Sequence, residues 1–103
     1  MNNMTDPEVE AYVGGRLVVR GNRYSVEGEI SSIAKYTESG GRRMLSFVLK
    51  DARHQRGDAE WEPYPHKDYV AATADYIFAV GEQDLVMTSE GLGGITITLS
   101  PPS

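Results

Sequence analysis

Residues 16–30, RLVVRGNRYSVEGEI, decide how the rest of the chain is read. In Arg16-Leu17-Val18-Val19-Arg20 the apolar Leu17 and Val19 share one side, and the two arginines end the other. Gly21-Asn22 supplies turn chemistry, since both residue types tolerate a left-handed backbone. The next run repeats the period of two, with Tyr24, Val26 and Ile30 on one side and Ser25, Glu27 and Glu29 on the other. Gly28 interrupts the inner row, as a bend or bulge in a curved sheet requires. The spacing predicts a β-hairpin with one buried and one solvated face.

Working outward, the pair Ser31-Ser32 takes Ile33 out of the row of Ile30, which predicts a bulge. Glu38-Ser39-Gly40-Gly41 reads as a loop, after which Leu45, Phe47 and Leu49 alternate with more polar neighbours. Tyr76 to Val80, Leu85 to Thr88 and Ile95 to Leu99 are three further strands, joined by Gly81-Glu82-Gln83-Asp84 and by the glycine-rich turn of residues 89–94. Pro101-Pro102 ends the last of them. Residues 51–65 are polar, finish in two prolines and lack apolar periodicity, so they read as a long surface loop. Residues 66–75 suit a short helix or an extended segment equally.

The expected architecture is mainly β: a small antiparallel barrel of about six strands, with a two-sheet sandwich as the alternative. Residues 1–13 form a flexible acidic segment in this reading, residues 14–100 the barrel domain and residues 101–103 a tail. Residues 24–33 and 44–51 together resemble the opening strands of an OB-fold, where a Gly-x-Ile strand precedes a Phe-x-Leu-x-Asp strand, and the same cadence suits SH3-like barrels.

The whole chain has 103 residues, 40% hydrophobic and 24% charged, which is one soluble domain's worth of polymer. It has no cysteine, so no disulfide, thiolate nucleophile or cysteine zinc site is available. The first ten residues carry Asp6, Glu8 and Glu10 and no base, unlike a secretory signal, and predict a cytoplasmic protein. The longest apolar run is about five residues, against the roughly 20 needed to span a bilayer.

Charge is segregated. Residues 16–56 hold nine bases and four acids, while residues 57–103 hold one base and eight acids. Either neighbouring strands neutralise one another, or the early strands present a basic face. The second option defines a single-stranded nucleic-acid binder using Arg16, Arg20, Arg23, Arg42 and Arg43. The acidic total, −5, favours the first.

Candidate chemistry is sparse. His54 and His66, with Asp58, Glu60 and Glu62 between them, match no compact metal-ligand spacing, and no serine sits in a nucleophile elbow. No cofactor or metal is expected. A loop histidine acting as general base is the third functional option. The Arg56-Gly57-Asp58 tripeptide is read as chance. Trp61-Glu62-Pro63-Tyr64-Pro65 and Tyr69 concentrate the single tryptophan and two tyrosines beside the irregular stretch. Trp61 either caps the open end of the barrel or belongs to a protein-binding epitope. The leading reading is a noncatalytic module that docks a protein partner through residues 51–69, with Trp61, Tyr64 and Tyr69 as anchors and Arg53 and Arg56 as charged flanks.

Overall fold

The computed structural model describes residues 9–89 and 94–102. The strands are β1 (Arg16–Gly21), β2 (Tyr24–Thr37), β3 (Arg43–Arg56), β4 (Glu62–Pro63), β5 (Asp68–Ala72), β6 (Ile77–Val80), β7 (Leu85–Ser89) and β8 (Ile95–Ser100). They form one antiparallel sheet in the order β4-β3-β2-β1-β8-β7-β6, and β5 pairs with β3 on the same side as β4. The mainly β, antiparallel expectation holds. The strand count rises from six to eight because the 51–75 stretch is more regular than its composition suggests.

One correction concerns that stretch. Residues 51–56 are not loop but the end of β3, where residues 53–56 pair with Tyr24–Glu27 of β2, and residues 62–63 return as β4. Residues 66–75, open between a short helix and an extended segment in the sequence, take the extended option: strand β5 followed by a single 3-10 turn at Thr73–Asp75. The bulge expected at Ser31-Ser32 is present as a register shift between Ile30 and Ser32.

Chain connectivity forces the sheet to curl. β5 and β6 lie at opposite edges, six inter-strand spacings apart, about 29 Å in a flat sheet. Only Thr73 to Tyr76 join them, and a fully extended link of that length reaches about 18 Å. The sheet therefore wraps round a single interior, where Leu17, Val26, Ile30, Phe47, Met87 and Leu99 are fully buried. It is not closed into a barrel: among the described residues β5 and β6 share no ladder.

Val9 and Tyr12, within the segment set apart above as a flexible acidic one, are buried in the same interior, Val9 just before and Tyr12 at the end of a 3-10 turn at Glu10–Tyr12. Gly14 and Gly15 stitch this approach to Ile30, with bonds of 2.7 and 2.8 Å. Residues 90–93 of the predicted glycine-rich turn lie outside the described residues, as does Ser103. No helix among the described residues is long and apolar enough to cross a membrane.

Candidate interaction surface

A reset in side-chain alternation builds the site. Up to Leu49, odd-numbered residues of β3 face the interior. Asp51 then adopts a left-handed φ of 53°, a conformation aspartate tolerates better than most residues, and the register against β2 shifts between Glu27 and Glu29. Beyond it Ala52, His54 and Arg56 point to the concave side, and Arg53 and Gln55 to the convex side. Gly28 sits over the reset, where an added Cβ would lie 2.8 Å from the Ala52 Cβ and 3.5 Å from the Leu49 Cβ.

On the convex face Arg53 grips Glu27 with two donors, Nε at 2.8 Å and a guanidinium nitrogen at 2.7 Å. Arg16 reaches the same Glu27 oxygen at 3.3 Å from the opposite neighbouring strand. The Glu27 side chain is only 16% exposed, so the cluster is charge-assisted and partly shielded. Over Arg53 lies Trp61, its ring centroid 4.9 Å from the guanidinium carbon. Trp61 is half-buried and takes no part in the core. The hairpin carrying it is braced by the Gln55 amide donating to the Ala59 carbonyl at 2.8 Å and by the Gly57 N–H donating to Arg23 at 2.9 Å.

On the concave side the rings form a chain. Tyr24 and His54 meet edge to face at 5.8 Å, His54 and Tyr64 at 5.9 Å, and Tyr64 and His66 at 5.3 Å. Tyr24 Oη and His54 Nδ1 are 3.3 Å apart. The two histidines thus flank Tyr64 rather than converge, and among the described residues no three His, Asp or Glu side chains come together as a metal site needs. Arg56 opens onto a hollow of about 310 Å³ with His54, Ala59, Glu60 and Glu62.

The five residues expected to bind a partner are therefore divided by the sheet. Arg53 and Trp61 share the convex face, Tyr64 and Tyr69 pack against the interior, and Arg56 lies at its rim. The arginines of the nucleic-acid reading are more widely scattered. Arg16 and Arg20 lie on exposed positions of β1 and Arg23 lies in the turn after it. Arg42 and Arg43 sit at the other end of the β2–β3 hairpin, where Arg43 pairs with Thr37, eight residues along β2 from the Arg16 level and thirteen from Tyr24. Arg42 is bound to Asp75 at 2.7 Å. Sequence reading missed Glu27 as the hub of the convex cluster, because its role follows from register rather than residue type.

Burial pushes the Tyr69 hydroxyl far above the ordinary tyrosine value of 10.0, with neighbouring Tyr76 and Tyr64 adding to the effect. Burial raises Tyr64 and Tyr76 as well. Each folded-state value exceeds the unfolded one, so folding favours the neutral phenols. That stabilisation is complete below pH ~10 and is lost as pH climbs through the folded values. In an alkaline absorbance titration Tyr69 is expected to ionise only as the sheet opens, and Tyr69→Phe should remove that delayed step. Tyr69 titrating near pH 10 with the β signal intact would contradict it. The chain matches no known family model, no curated protein and no solved structure, so residue geometry alone carries the functional reading.

Proposed function

We propose that the chain is a noncatalytic protein-binding module of the cytoplasm, an open barrel of SH3-like or OB-like type that contacts its partner through residues 51–69. The observation that carries this reading is Trp61, stacked on an arginine that is itself anchored to Glu27, outside the core. Tryptophan, tyrosine and arginine supply most interface hot spots, and an aromatic held in place before binding loses little freedom on docking. The nucleic-acid alternative draws less support. Arg16 and Arg53 share the one carboxylate of Glu27 and Arg42 pairs with Asp75, so three of the chain's cations are already engaged within the fold.

Trp61→Ala is the test. The stacked pair is exposed enough to cost about 0.5–1 kcal/mol of stability, whereas loss of a central anchor costs binding about 2 kcal/mol or more. Partners captured from the source cell with the wild-type chain are identified by mass spectrometry, purified and titrated against both forms by calorimetry. The expected result is a folded variant with at least about thirtyfold weaker binding. Equal affinity for the variant, or its unfolding, overturns the reading. So does tight binding of a random oligonucleotide that weakens steeply with salt.

A further inference from the structure

Among the described residues strand β6 ends the sheet, and the side it turns away from β7 is laid out to accept another strand. Its ladder with β7 runs from Ile77↔Thr88 to Val80↔Leu85, and the hairpin closes through the Gly81 N–H donating to the Asp84 carbonyl at 2.8 Å. Hydrogen-bonded and non-bonded pairs alternate along an antiparallel ladder. Ala79 and Ile77 therefore turn their backbone groups toward β7, while Phe78 and Val80 aim theirs at the open side. Ile77 is 66% exposed and Val80 76% exposed, the highest among the large hydrophobics described. Such edges are ordinarily blocked by lysine, proline or a covering segment. β6 has no charged residue and no proline, and the chain has no lysine or arginine after Lys67.

We infer that the β6 edge is a docking strip for an extended segment of another protein, apolar at its centre and bearing lysine or arginine where it passes Glu82 and Asp84. Charge selects this occupant. Asp75, at one end of β6, is already paired with Arg42. Glu82 and Asp84, at the other end, make no ion pair among the described residues, so that end is acidic and open to a basic partner. A second copy that pairs its own β6 here brings no base from that strand to the strip. Pairing two four-residue strands also buries only a few hundred Å², far below the roughly 1,200–2,000 Å² of a stable interface. An added peptide strand instead gains affinity from main-chain hydrogen bonds, with alternate side chains setting specificity. The strip is separate from the Trp61 surface, and neither reading depends on the other.

The probe is a seven-residue peptide alternating lysine with valine, titrated by fluorescence anisotropy and followed by amide hydrogen exchange. Exchange at Phe78 and Val80 is expected to slow on binding, and affinity to fall as salt rises. Val80→Pro deletes a donor on the open side alone and should weaken binding about tenfold, the worth of roughly one hydrogen bond. The same peptide N-methylated at alternate residues should lose binding to the unaltered chain, which keeps the test decisive if the proline variant does not fold. Unchanged exchange at Phe78 and Val80, full binding of the methylated peptide, or protection mapping to residues 53–64 overturns the inference. So does a dimer by light scattering with β6 protected in the absence of peptide, since a second copy then holds the edge.

Discussion

Gly15→Ala is expected to lower the thermal midpoint by about 12–24 °C, from a loss of about 3 kcal/mol at the usual sensitivity of a domain this size. The reason is a collision with backbone. A Cβ at position 15 would run into the Ser100 carbonyl oxygen and stand 2.9 Å from the carbonyl carbons of Ser100 and Pro101. None of these can rotate away as a side chain can. The glycine is also fixed from both sides, its N–H donating to Tyr12 at 2.9 Å and its carbonyl accepting from Ile30 at 2.8 Å. Relief therefore means parting β8 from β2 or withdrawing Val9 and Tyr12 from the interior. Gly41→Ala is the control. Gly41 has a φ of +86° and nothing within 4 Å of its absent Cβ, so only backbone strain of about 1 kcal/mol is expected there. Equal midpoints for the two variants would show that the 14–15 crossing is not a fixed point of the fold.

How much of this was legible in the sequence depended on whether a strand's inner face is apolar. Leu17 and Val19, Val26 and Ile30, Leu45 and Phe47, and Ile97 and Leu99 announced their strands because each row enters the core intact. The end of β3 did not. Asp51 resets the alternation, and the inward residues beyond it are Ala52, His54 and Arg56 at a solvated rim, where hydrophobic periodicity has nothing to record. β5 was ambiguous for a related reason. Its inward Tyr69 and Ala71 sit beside an outward Val70, so polarity does not separate the faces. Val9 and Tyr12 are single apolar residues in an acidic context and carry no period at all.

The candidate surfaces divide along the same line. The concentration of aromatics around Trp61 was visible in composition, and so was the choice between strand-to-strand neutralisation and a basic face. Arg42 paired with Asp75 joins the basic stretch to the acidic one, whereas Glu27 bridging Arg16 and Arg53 lies wholly within the basic stretch. Which anchors share a face could not be read without the position of the Asp51 reset. The open edge of β6 was hidden more deeply, because being an edge is a property of sheet order rather than of the strand's own residues.

Phe47→Ala is expected to cost about 3–5 kcal/mol, the range for emptying a buried aromatic site. Phe47 is fully buried on β3, directly across from Ile33 on β2 and from Tyr69 on β5. It thus lies in the core between β2 and β5, level with a residue of each. Its removal leaves a cavity that collapses only if β5 moves inward, and β5 leads through one 3-10 turn into β6. Two readouts should therefore change together. Denaturant midpoints fall, and Tyr69, whose raised pKa comes chiefly from burial, ionises closer to the ordinary tyrosine value. Phe47→Leu retains most of the volume and should lose less than about 1.5 kcal/mol, with Tyr69 still delayed. A Phe47→Ala chain that loses stability while Tyr69 keeps its late titration would mean that β5 is held by its ladder to β3 alone. The coupling between the core and the open seam would then be absent.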